Sequence, residues 1–99
     1  MDAFEIIKDR RSVKKYTDKP VPGELIEKVC RAGTWAATGM GRQSPIILAV
    51  TNKEVRDKLS EINAEVMGAK NDPFYGAPVV LVVLANKAMP TAIYDGSLV

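Results

Sequence analysis

The sequence predicts a fold of helices and strands that is incomplete as it stands. Three observations predict it. Two short continuous apolar runs, Ile46–Val50 and residues 79–84, read as strands buried on both faces. Apolar residues at spacings of three and four mark helices before, between and after them. The order is helix, helix, strand, helix, strand and the start of a helix. A strand-helix-strand unit predicts parallel strands joined by a right-handed crossover. Two such strands need more sheet and more helices than 99 residues supply. The sequence also stops at Ser97-Leu98-Val99 in mid-pattern. The 99 residues are therefore expected to form the N-terminal part of a single domain, 1–99.

Each element has a local cause. Asp2 can cap a short first helix that carries Phe4, Ile6 and Ile7 and ends near Arg10-Arg11-Ser12. Residues 13–17 read as an extended or turn segment leading to Pro20 and Pro22. Pro22 fits the first turn of a second helix, where a missing N–H costs nothing. Leu25, Ile26, Val29, Cys30, Gly33, Ala36 and Ala37 would give that helix one apolar face. Residues 38–45 hold two glycines and a proline and read as a loop. Thr51 or Asn52 caps a third helix, with Val55, Leu59, Ile62, Val66 and Met67 facing inward. Residues 70–76 form a second loop, and a last helix starts near Pro90 or Thr91.

Composition excludes several classes. With 46% hydrophobic and 26% charged residues the chain is not disordered by composition. A net charge of +2 is too mild for a nucleic-acid binder. The charge is uneven: Lys8, Arg10, Arg11, Lys14, Lys15 and Lys19 face only Asp9 and Asp18 in the same stretch. Such an excess suits a small anionic ligand, or else a solvated basic face. Without histidine, Ser-His and Cys-His nucleophiles and most zinc sites are absent. Cys30 is the one cysteine, so no intramolecular disulfide can form; it is expected as a buried small apolar residue in a reducing compartment. No basic leader precedes an apolar stretch at the N-terminus, and the longest apolar run, 77–85, is too short to span a bilayer. A cytoplasmic protein, bound to no membrane, is expected. Trp35 is expected in packing, and Asp72 and Asp95 as loop and helix-start residues rather than catalytic acids.

Arg10-Arg11-Ser12-Val13-Lys14 carries the most chemistry. Arginine offers a planar fork that grips phosphate at two points, and a serine hydroxyl can complete the grip. In an extended segment Lys14 projects to the same side as Ser12 and can address a second point on the same ligand.

This stretch, continued by Lys15-Tyr16 and Lys19-Pro20-Val21-Pro22, resembles the opening of the nitroreductase family. The family's next landmark, similar to Ala-Pro-Ser-x-x-Asn-x-Gln-Pro-Trp, is held here by residues 36–45, where Gln43 matches, Thr38 stands in for serine and Gly41 replaces the asparagine. Tyr75-Gly76-Ala77-Pro78 before residues 79–84, and Asp95-Gly96-Ser97-Leu98-Val99, resemble the later landmarks. The resemblance implies an α+β fold with a sheet flanked by helices, a homodimer, and FMN at the subunit interface. It implies Arg10, Arg11 and Ser12 at the FMN phosphate and ribityl end, and Lys14 at the N1/C2 edge of the ring. Thr38, Gly39 and Gln43 would reach the flavin of the neighbouring subunit, and Asn63 the ring edge. The implied function is transfer of electrons from NAD(P)H to nitroaromatic, quinone or similar small-molecule acceptors. Three other readings stand beside it: an inactive fragment, a flavoprotein of the same fold with different chemistry, and a small anion-binding module.

Overall fold

The computed structural model describes residues 2–99 and contains helices α1 (Ala3–Asp9), α2 (Gly23–Gly33), α3 (Lys53–Met67) and α4 (Ala92–Leu98). Strands β1 (Ile46–Val50) and β2 (Val80–Leu84) form a two-stranded sheet, and a 3-10 turn spans Gly39–Gly41. The order and mixed class agree with the sequence reading. Local chemistry explains the helix starts. Asp2 accepts the Glu5 N–H while Glu5 accepts the Asp2 N–H, a reciprocal cap. The Asn52 side chain accepts the Val55 N–H and opens α3. α3 ends at Gly68, which is left-handed. Between them, α2 follows directly on Pro22.

The second helix is shorter than its apolar spacing predicts. The chain turns at Thr34, whose hydroxyl donates to the Arg31 carbonyl at 2.6 Å, so Ala36 and Ala37 lie beyond the helix.

Strand direction corrects the sequence reading. β1 and β2 are antiparallel, with Ile46 opposite Leu84 and Val50 opposite Val80. The chain therefore leaves and re-enters the sheet at the same end. α3 carries it about 22 Å away, and residues 68–79 bring it back. The return is held by Asp72, whose carboxylate accepts from the Arg56 guanidinium, the Ser60 hydroxyl at 2.7 Å, and the N–H groups of Phe74 and Gly76 at 2.9 and 2.8 Å. Arg56 also donates to the Ala77 carbonyl at 2.8 Å and lies over the Phe74 ring. Arg56 and Ser60 stand on the first two turns of α3, so the loop folds back along the helix. Burial alone would raise the Asp72 carboxyl; the hydrogen bonds from Ser60, Arg56, Phe74 and Gly76 outweigh it and hold it well below the usual carboxylate range. Hydrogen bonding to Asp72 raises Arg56 in turn.

The expected burial is not found within the chain. Among the described residues no apolar side chain is fully buried, and the most buried are Arg56, Ser60 and Asp95. Ile46, Leu48, Val83 and Leu84 of the strands are exposed, as are Val55, Ile62, Val66 and Met67 of α3. Trp35, expected in packing, is 83% exposed, and Cys30 is only half-buried. The accessible surface, 8261 Å², is about half again that of a compact protein of 10.8 kDa. The radius of gyration is 15.2 Å, against about 13 Å for a compact chain of this length. Leu59, Ile62 and Val66 do face β2, but across an open groove of about 400 Å³. The physical reason is that two strands and four helices, three of them short, have too few layers to cover one another.

Candidate functional site

Two groups of the sequence-predicted residues are each drawn together. The first lies just after α1. The Arg10 guanidinium donates to the Ser12 hydroxyl at 3.4 Å, and both side chains are exposed. Arg11 turns the other way: it donates to the carbonyls of Lys8 and Arg10 at 3.0 and 2.9 Å. This closes the end of α1, where carbonyls otherwise lack partners. The Tyr16 hydroxyl donates to the Val13 carbonyl at 2.8 Å and folds the arm on itself. Lys14 projects from this exposed arm. Among the described residues no carboxylate pairs with Arg10, Arg11 or Lys14. Their positive charge is therefore free for an anion.

The second group is the 38–43 loop. The Thr38 hydroxyl accepts the Gln43 N–H at 3.0 Å and lies 3.5 Å from the Gln43 side-chain oxygen. Met40, Gly41 and Gln43 have φ of 56°, 65° and 52°, in the left-handed region. Such a conformation is uncommon for residues with a Cβ and concentrates at ligand-binding sites. Gly39 is required by a close approach: a Cβ there would lie 2.2 Å from the Thr91 hydroxyl oxygen. Its N–H donates to Asp95 at 2.9 Å. What the glycine admits is thus α4, and its amide is already in use.

No hydrogen bond joins the two groups among the described residues, and Lys14 bonds to neither. Asn63 stands apart on α3, half-buried in the groove beside β2, with its amide 3.7 Å from the Met67 sulfur. Gln43 also lines a groove of about 400 Å³ between α2 and β1, with Cys30 and Val99. Sequence reasoning passed over Arg56 and Ser60 and read Asp95 only as a helix-start residue; these three are the most buried polar residues among those described. The signal available for Asp95 was a threonine four residues earlier, one helical turn away. Arg56 interrupts the amphipathic pattern of α3; the neighbouring Asp57, 3.3 Å away, was the partner visible in the sequence, while Asp72 lies 16 residues on.

Among the described residues no group of acidic, histidine or cysteine side chains could hold a metal ion, and no helix is long and apolar enough to cross a membrane.

The sequence model of the nitroreductase family matches residues 7–73. A Methanothermobacter thermautotrophicus protein named as an NADH dehydrogenase/NAD(P)H nitroreductase is 32% identical over 89 residues, which cover 90% of this chain and 44% of that protein. The FMN reductase [NAD(P)H] of Bacillus subtilis is 33% identical over 86 residues, covering 83% of this chain and 32% of the relative. A crystal structure of a nitroreductase with bound FMN from Bacteroides fragilis superposes with a TM-score of 0.83 at 25% identity, over 96% of this chain and 58% of that one. The chain thus spans about half the length of these relatives or less. It belongs to the nitroreductase family.

Proposed function

We propose that this member of the nitroreductase family is part of an FMN-dependent oxidoreductase that passes electrons from NAD(P)H to a small acceptor such as a nitroaromatic or a quinone. Family membership together with one observation carries the reading. Arg10 and Ser12 converge on an arm whose cations have no carboxylate partner. That donor set fits a phosphate monoester. FMN, when bound, supplies the two-electron chemistry. The chain's own residues bind and orient. Arg10 and Ser12 hold the phosphate end. Arg11 acts partly through α1, whose terminal carbonyls it closes. Lys14 places a positive charge at the N1/C2 edge of the ring, where it favours the charge that builds up on reduction. Thr38, Gly39 and Gln43 form the loop that faces the flavin of a second subunit, Gly39 through the backbone it holds against α4 rather than through its N–H, which Asp95 accepts, and Asn63 addresses the ring edge.

The domain is read as the N-terminal part of one unit, acting as a homodimer. The large exposed apolar surface supports a protein partner for it. A cytoplasmic setting fits a lone, half-buried cysteine.

The test is an absorbance spectrum after incubation with FMN and desalting. Retained flavin bands in proportion to chain, bleached by NAD(P)H, are expected. A folded chain that retains no flavin refutes the reading. The absence of a buried apolar residue among the described residues favours one second reading, an inactive piece that holds no flavin alone. In that case the chain is colourless and melts without cooperativity.

A further inference from the structure

We propose that Asp95 positions the 38–43 loop and thereby sets the affinity of the chain for FMN; the flavin half of this statement rests on the function proposed above. Asp95 lies in α4 and is 3% exposed, the least exposed of the three buried polar residues. No cation pairs with it among the described residues. Its carboxylate is held by two hydrogen bonds. One oxygen accepts the Gly39 N–H at 2.9 Å and the other accepts the Thr91 hydroxyl at 2.8 Å. A buried carboxylate with so few partners is costly. Here it stands where α4 meets the loop, at the point where Gly39 and Thr91 leave no room for a Cβ.

The loop has need of such an anchor. Its other hydrogen bonds are internal: Gln43 N–H to the Thr38 hydroxyl, Gly41 N–H to the Thr38 carbonyl, and Arg42 N–H to the Gly39 carbonyl. Those bonds shape the loop but do not tie it to the rest of the chain. Among the described residues the Gly39–Asp95 bond is its one hydrogen bond to a distant segment, 56 residues away in sequence. Met40 and Gln43 sit in the left-handed region, which persists only when the surroundings enforce it. Asp95 is the enforcing group, and Thr38 and Gln43 are the side chains it holds in place.

The experiment compares the wild-type chain with Asp95→Ala, Asp95→Asn and Thr91→Val. Amide hydrogen exchange is followed across residues 38–43 and across α3, and FMN affinity is read from quenching of flavin fluorescence. Asparagine keeps an acceptor for the Gly39 N–H and a donor for Thr91, so Asp95→Asn should stay within about threefold of wild type in both readouts. Asp95→Ala should speed exchange in the loop at least about tenfold, leave α3 protected, and raise the FMN dissociation constant about tenfold. Thr91→Val replaces the hydroxyl by a methyl of similar size and should fall between. Unchanged loop exchange in Asp95→Ala overturns the proposal. So does faster exchange with unchanged FMN affinity, or an asparagine variant as impaired as alanine. If Asp95→Ala loses protection in α3 as well, the asparagine and valine variants decide in the same terms. If the wild type quenches no flavin fluorescence, the function proposed above fails and takes the flavin half with it. Loop exchange still decides whether Asp95 is the anchor.

Discussion

Replacing Asp72 by alanine should unfasten the return loop from α3. The carboxylate accepts four hydrogen bonds, two from side chains of α3 and two from backbone N–H groups of the loop itself. The Arg56 side chain, 9% exposed, would lose its closest anion. Removing one partner of a buried ion pair costs about 3–5 kcal/mol. Two features place this case at the lower end. Asp72 is 30% exposed, and Arg56 keeps Asp57 at 3.3 Å and the Ala77 carbonyl. The expected loss is about 3 kcal/mol, which for a domain of about 100 residues lowers the melting temperature by about 12–24 °C. The assay is urea unfolding followed by far-ultraviolet circular dichroism, paired with amide exchange of Gly76. Asp72→Asn retains one acceptor and the shape, and should lose about half as much. If alanine leaves the chain unfolded without urea, the asparagine variant supplies the graded value. A loss below about 1 kcal/mol with Gly76 still protected would refute the reasoning. Pro73 and the left-handed Tyr75-Gly76 pair would then be what sets the loop.

Two further outcomes follow from the same geometry. Arg10→Ala should weaken FMN binding about tenfold, the lower end for a charged hydrogen bond on an exposed arm; equilibrium titration of flavin fluorescence measures it, and an unchanged affinity removes Arg10 from the phosphate. Asp72 titrates lower in the folded chain than in the unfolded one, where a carboxyl titrates near 4. Its stabilisation is therefore complete above about pH 5 and declines progressively as the pH falls below about 4 toward the depressed folded value. Urea midpoints across pH 3–7 should show that acid-side fall in the wild type and a smaller one in Asp72→Ala; equal falls in both would assign it to other carboxylates.

Local features were legible in the sequence, and those that depend on distant partners were not. Asp2 caps the helix it was expected to cap, and of the two residues offered for α3, Thr51 and Asn52, it is Asn52 that does so; a cap is a bond across three residues. The β1 run was placed residue for residue, and β2 to within one, because five apolar residues between turn signals leave little choice. Strand direction was missed because it depends on Arg56, Ser60 and Asp72 meeting across 12–16 residues. Burial was missed because continuous apolar strands describe a surface that something covers, and Ile46, Leu48 and Val83 are not covered by this chain. In the candidate site, Arg10–Ser12 and Thr38–Gln43 were readable as motifs. For Gly39 the sequence offered a flavin contact by resemblance, and its close approach to α4 was not legible. The residue it approaches, Thr91, is 52 positions away.

The two-stranded sheet has a further consequence for anyone handling the polypeptide. Among the described residues each strand pairs on one side only, which leaves a row of N–H and C=O groups on each outer edge. The strands read Ile-Ile-Leu-Ala-Val and Val-Leu-Val-Val-Leu, with neither charge nor proline inside them. Segments of that kind template the stacking of identical chains into cross-β fibrils. Pro45 and Pro78 flank them at the entry of each strand and act as gatekeepers. Those free apolar edges make strand-to-strand association the aggregation route to guard against when the polypeptide is concentrated.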